Sequence, residues 1–264
     1  MTVREGGEPL GFCDCSVMTQ QVEPGPTARL GRAVGPGGSR GRVAGVALVL
    51  PAGEPESTRG PSARAHASVR SLAREVALAG AADGLVAHVV RYRGRGWNGG
   101  DARLAADAEW AVAEVVRRYG DVPVCLTGVG MGGRAALRAA GAAAVNSVAA
   151  LAPWLPAGDA EPVRQLAGRR VLIAHGTNDE RADPELSFRL AERAKKSNRD
   201  VCRFEVHSDG HGLREHRAEV RALVADFVLG SLFGRPYARP LADALAAPPP
   251  LGLRMPLATG FGQG

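Results

Sequence analysis

Gly128-Val129-Gly130-Met131-Gly132-Gly133 lies between an apolar hexapeptide, Val122-Pro123-Val124-Cys125-Leu126-Thr127, and a stretch from Met131 to Ala140 rich in Ala, Leu and Arg. That order reads as buried strand, glycine turn and helix. It is the frame of a G-x-S-x-G elbow, in which a strand turns sharply into a helix and lifts a serine hydroxyl above the sheet, beside backbone donors. Glycines serve such a turn twice: the elbow residue is held in a strained backbone conformation, and its neighbours must be small so that strand and helix can approach. Here Gly130 stands where the serine belongs, which relieves the strain and removes the attacking oxygen. A phosphate-binding loop is the competing reading of a glycine cluster that opens a helix. The dinucleotide form follows the first strand, whereas this turn follows the third, and no Lys-Ser/Thr pair comes after it.

Two later segments supply polar residues at matching places. Val171-Leu172-Ile173-Ala174 reads as a buried strand running into His175-Gly176-Thr177-Asn178-Asp179, and Val201 to Val206 reads as another, followed by Ser208-Asp209-Gly210-His211-Gly212. Each candidate therefore sits just past the C-terminal end of a strand, the edge where open parallel sheets place their sites. The chain order is nucleophile position, acid, histidine.

On these three motifs the chain resembles the α/β-hydrolase family from about Val43 to Leu232. The family's elbow would read Gly-His-Ser-Met-Gly-Gly, and this sequence departs from it at Val129 and Gly130. The resemblance implies Asp179 as the acid and His211 as the base. It also implies an oxyanion hole of backbone N–H groups at Met131 and at Ala52 or Gly53, in the loop after the apolar strand Val43 to Leu50. Small ester, thioester and lactone hydrolases, including those similar to dienelactone hydrolases, are the nearest match within it. No cofactor or metal is implied.

Leu85 to Tyr92 and Val145 to Leu151 read as further strands, and Asp101 to Tyr119 and Pro184 to Lys196 as helices. Six strands alternating with helices predict an α/β three-layer sandwich with a mostly parallel sheet. The segment between Leu151 and Val171 is too short for the helical lid that many relatives insert, so an open site is expected, with Trp97 and Trp154 as its large apolar walls. Residues 43–234 form the expected hydrolase-like domain. Residues 1–42 and 235–264, rich in Gly and Pro and without periodicity, read as flexible extensions.

Residues 1–42 carry five Arg against four acids and residues 235–264 three Arg against one, so of the net charge of +6 the domain keeps +3. Arg91, Arg93 and Arg95 make only a short cluster, and no basic stripe with interleaved aromatics is present, which argues against nucleic acid as a partner. The arginine excess over lysine fits a GC-rich bacterial genome. The start lacks the layout of a signal peptide and no apolar run approaches membrane-spanning length, so a cytoplasmic protein acting on a small molecule is expected. Cys13 and Cys15 lie in the N-terminal extension and Cys125 and Cys202 in predicted strands, spacing that suggests neither a disulfide framework nor a metal site. Met18 offers an alternative start.

Each candidate has a plainer reading. Asp179 could cap the helix beginning near Pro184, His211 could be a surface residue, His175 orients the acid loop, and His207 and Asp209 are loop residues. Without serine, Cys125, Thr127 and Ser147 are poorly placed substitutes, the first two on the strand before the turn and the last at the far edge of the sheet. Three hypotheses follow: a hydrolase in which His211 acts on water, a pseudoenzyme that binds an acyl or aromatic ligand or a protein partner, and an ordinary serine hydrolase changed at Gly130.

Overall fold

The computed structural model describes residues 2, 27–35, 42–158 and 160–262. Its six long strands are β2 (Gly45–Leu50), β3 (Leu85–Arg91), β4 (Val124–Val129), β5 (Val145–Leu151), β6 (Arg170–Gly176) and β7 (Val201–Val206), mutually parallel. Two strands of two residues complete an eight-stranded sheet: β1 (Arg29–Leu30), antiparallel to β3, and β8 (Met255–Pro256), parallel to β7. The order across the sheet is β1-β3-β2-β4-β5-β6-β7-β8.

The long strands are near-continuous apolar runs because both faces are covered. Along β2, Val46, Leu48 and Leu50 enter one core and Ala47 and Val49 the other. Helices α3 (Arg103–Tyr119), α4 (Met131–Arg138) and α5 (Pro184–Lys195) cover the first face. On the second lie α2 (Arg70–Ala79), α6 (Arg217–Phe233) and α7 (Arg239–Ala246), with the single-turn α1 (Ala63–Ser68) preceding α2. The three-layer architecture is the one read from the sequence, with eight strands in place of six. No helix among the described residues is long and apolar enough to cross a membrane.

Both expected extensions need correction. In the first, residues 27–35 join the sheet: beyond β1, Gly31 N–H donates to Val89 O at 2.9 Å and Val34 bridges to Ala87. Apart from residues 2 and 42, the rest of 1–42 lies outside the described residues, with Cys13, Cys15 and Met18. In the second, residues 235–262 are packed. Leu241, Ala244 and Leu253 are fully buried. The Lys195 ammonium donates to Val201 O at 2.7 Å and to Ala244 O and Leu245 O, joining β7 to the end of α7. Arg203 donates to Leu253 O, and Arg254 pairs with Glu185 and Glu205 while its guanidinium covers the Phe188 ring.

Candidate active site

Adjacency in the sheet brings the motifs together. Strands β2 and β4 are neighbours, with Leu50 opposite Gly128, so the Pro51–Gly53 loop runs alongside the turn that follows β4. At that turn Gly130 has φ 57° and ψ −120°, a conformation costly for residues with a Cβ. Gly130 N–H donates to Leu151 O at 2.9 Å, and Gly130 O accepts from Trp154 N–H at 3.1 Å. Gly128 and Gly132 answer a different need. A Cβ on Gly128 would lie 2.1 Å from Gly132 O, and one on Gly132 would lie 2.3 Å from both Leu50 O and Pro51 O.

A Cβ on Gly130 would lie 3.3 Å from His211 Nε2 and 3.6 Å from Ala52 Cβ. The imidazole therefore faces the position from which a hydroxyl would project. Its Nδ1–H donates to Asp179 Oδ2 at 2.8 Å, which leaves Nε2 as the acceptor toward Gly130. His175 Nε2 shares the same carboxylate oxygen at 3.1 Å, while Asp179 Oδ1 accepts from the N–H groups of Arg181 and Ala182 at 2.8 and 3.0 Å. Burial favours the neutral acid, but the hydrogen bonds from His175, the two backbone groups and His211 outweigh it and hold Asp179 well below the usual carboxylate range. The Asp179 side chain is fully buried, whereas 25% of the His211 side chain remains exposed. That combination is a fixed negative charge behind a ring that solvent can reach.

The residues expected to supply backbone donors lie close together. Met131 opens α4, so its N–H has no partner within the helix. A Cβ on Gly53 would be 3.6 Å from Met131 Cβ, but only 2.5 Å from Leu104 Cδ1 and 2.6 Å from Arg95 O, so the loop backbone is pressed in beside the elbow. Ala52, Gly53, Gly130, Met131, Asp179 and His211 thus converge above the C-terminal ends of β2, β4, β6 and β7.

No family model matches the chain, and no curated protein matches it. Among solved structures it is similar to an α/β serine hydrolase without a lid from Xanthomonas campestris, at a TM-score of 0.59 and 18% identity over 81% of this chain and 98% of that one. A thermophilic esterase from Thermogutta terrifontis, with propionate bound, gives 0.57 and 18% over 81% and 97%. An esterase from Pyrococcus furiosus gives 0.55 and 15% over 72% and 83%. The chain has the α/β-hydrolase fold.

Within this α/β-hydrolase fold several residues stand elsewhere than the sequence reading put them. Trp97 is buried in the core rather than open to a pocket, because the Arg134 guanidinium lies 3.9 Å from its ring centroid. Trp154 flanks the same guanidinium at 5.5 Å, and Glu161 pairs with Arg134 and Arg138. The two rings hold an arginine of α4 between them. The cap of α5 falls to Asp183, which accepts from Glu185 N–H at 2.9 Å, so Asp179 is free of that duty. Cys125, Thr127 and Ser147 are fully buried, and burial pushes the thiols of Cys125 and Cys202 up to about 11 and about 12. Among the described residues no group of three or more His, Cys, Asp or Glu is placed to hold a metal ion.

Asp209, read as an ordinary loop residue, organises the turn that carries His211. Its Oδ1 accepts from the N–H groups of Gly210 and Arg214 at 3.0 and 2.9 Å, and its Oδ2 from those of Glu215 and His216 at 3.0 and 3.1 Å. Its carbonyl accepts from Asn178 N–H and overlies Gly176, where a Cβ would come within 2.3 Å of it. The acid and histidine loops are locked to each other by backbone. The Asp-Gly-His sequence held the signal, an Asx-type turn residue before a glycine. Asp209→Asn sets an amide NH2 against two backbone donors, so thermal unfolding should show a loss of about 1–3 kcal/mol. An unchanged melting temperature would show that the carboxylate does not hold the loop.

Proposed function

We propose that this site binds the carbonyl of a small ester, thioester or lactone and that His211 acts on it as general base through water. The observation that carries the reading is the 3.3 Å separation between His211 Nε2 and the Cβ position of Gly130, with Asp179 on the far side of the ring. Water positioned by Nε2 attacks the carbonyl and gives up its proton to the ring. The N–H groups of Met131 and of Ala52 or Gly53 stabilise the resulting oxyanion. The imidazolium, held by charged Asp179, then returns the proton to the leaving oxygen or sulfur. No acyl-enzyme forms, and activity is weak: an oxyanion hole and binding without the nucleophile leave roughly 10^3 to 10^4 over the reaction in water.

A second reading is a binding protein without turnover. It is favoured by the same contact, since a Cβ at 3.3 Å is tighter than ordinary van der Waals packing and the loops have closed around a glycine. Short-chain p-nitrophenyl esters distinguish the two. The chain as it stands should hydrolyse them slowly, His211→Ala should lower that rate by about 10^2-fold or more, and a serine-reactive phosphonate should label neither protein. Turnover indifferent to His211→Ala would remove the base from the mechanism. Ester binding without turnover would favour the second reading, and stoichiometric labelling would reject both.

A further inference from the structure

Beside Ala52 opens a cleft of about 160 Å³, walled by Pro51, Ala52, His66, Arg70, Arg91 and Arg95. Ala52 belongs to both places, since its Cβ lies 3.6 Å from the Cβ position of Gly130. The cleft collects positive charge. Of the three arginines in the Arg91 to Arg95 cluster, Arg93 is bound by Asp107, and Arg95 is engaged by Glu54 at 3.5 Å and by Gly60 O at 3.0 Å. Arg91 has no ion pair among the described residues, and neither has Arg70 across the cleft.

The backbone adds a second, independent observation. In the β1–β3 ladder Arg29 stands directly opposite Arg91, a pairing that places two like charges on one face and disfavours the strand pair. Between these groups, burial and then the charges of Arg91 and Arg70 hold His66 below its ordinary value. Two arginines in cross-strand register and a third, Arg70, beside the His66 imidazole across the cleft form an arrangement that an anion would relieve.

The geometry points to an oxyanion-binding subsite: the substrate or ligand is a small acyl compound whose far end carries a carboxylate, held by Arg91, Arg70 and His66 while its carbonyl lies over Gly130. This deepens the proposed function and rests on it for the position of the carbonyl. A planar carboxylate meets a guanidinium through two parallel hydrogen bonds. The cleft has room for a carboxylate and a short chain.

The test is a titration of the full chain with monomethyl glutarate, which has an ester at one end and a carboxylate at the other, against methyl butyrate, which lacks the charge. The imidazole NMR signals of His66 and His211 report the two ends separately. Monomethyl glutarate should shift both signals and methyl butyrate only that of His211. Arg91→Ala should weaken monomethyl glutarate about tenfold, the loss of one charge-assisted contact, Arg91→Glu should abolish its binding, and Arg74→Ala, on α2 outside the cleft, should leave it unchanged.

Equal affinity for the two probes, or indifference to Arg91→Glu, would overturn the subsite even while the His211 shift upheld the carbonyl site. A His66 shift that depends on Arg91 with His211 unmoved by either probe would uphold the anion cleft and reject the carbonyl reading. Inorganic phosphate binding as tightly as monomethyl glutarate, with the same dependence on Arg91, would overturn the tethered acyl tail in favour of free oxyanions.

Discussion

Gly130→Ser is expected to hydrolyse short-chain p-nitrophenyl esters on the order of 10^3-fold faster than the chain as it stands. The expectation rests on the proposed site and on three observations: His211 Nε2 faces the turn, Asp179 backs the ring through a 2.8 Å hydrogen bond, and Met131 opens α4 directly after Gly130. Removing a triad nucleophile costs about 10^6 in turnover, so restoring one could return as much. The smaller figure follows from the geometry. A Cβ at 3.3 Å from Nε2 requires the imidazole to move back by a few tenths of an ångström, and misplacement by about 1 Å can cost 10^2-fold. Stability should fall at the same time by about 1–3 kcal/mol, because serine at φ 57° and ψ −120° carries backbone strain that glycine avoids. Rates with p-nitrophenyl acetate and butyrate, measured beside thermal melts, check both halves. Equal rates for the two proteins would show that Gly130 is not the nucleophile position, and a serine variant as inert as its parent would show that the pocket no longer presents an ester to the turn.

Gly132→Ala should do the reverse, destroying the structure without touching a reactive group. Its Cβ would sit 2.3 Å from Leu50 O and Pro51 O and 2.8 Å from Leu50 C, all backbone atoms at the end of a central strand. No rotamer change relieves a clash with backbone, so either α4 or the strand must shift, and both are packed in a core of interior density. Overpacking of this kind costs about 1–3 kcal/mol where neighbours can yield, and more where they cannot. A loss of about 4 kcal/mol is expected here, which lowers the melting temperature of a domain this size by roughly 8–16 °C or leaves the protein insoluble. Gly141→Ala is the control, since its Cβ would meet only Gln165 Cβ at 3.4 Å. A Gly132→Ala protein melting within a few degrees of its parent would refute the close approach of strand and helix.

The glycines of this turn differ in how far the sequence alone explains them. Four glycines in six residues announced the turn, but only the fold separates Gly130, which is needed for its dihedral angles, from Gly128 and Gly132, which are needed for space. The long strands were legible because both of their faces are apolar and their residues follow one another without interruption. Strands β1 and β8 were not, because two residues carry no periodicity. The segment after Pro236 looked unstructured for a related reason. What holds it is remote: Lys195 and Arg203, tens of residues earlier in the chain, donate to its carbonyls, and its own Arg254 reaches back to Glu185 and Glu205.

At the site, chain order and strand ends brought Asp179 and His211 to notice, while the groups that hold the Asp179 carboxylate stayed hidden. That His175 and His211 meet on one carboxylate oxygen depends on the path of a loop. Trp97 and Trp154 were legible as large apolar groups near the site. Their true neighbour, Arg134, comes from a helix turn that sequence spacing does not connect with either ring.

The short outer strands also govern how the molecule meets its own copies. A parallel sheet bounded by β3 and β7 would show two rows of unpaired amide and carbonyl groups, the template on which chains aggregate. Pairing by Arg29–Leu30, with the Gly31 and Val34 bonds, occupies β3 from Ala87 to Arg91. On the opposite flank Met255–Pro256 and the Leu257 N–H cover Phe204 and Glu205, and Pro256 has no N–H to extend the row. Among the described residues each flank therefore ends in a strand of two residues, one bearing an arginine and the other a proline, so segments that add only Leu30 and Met255 to the edges of the core leave the sheet a short and interrupted template for another chain.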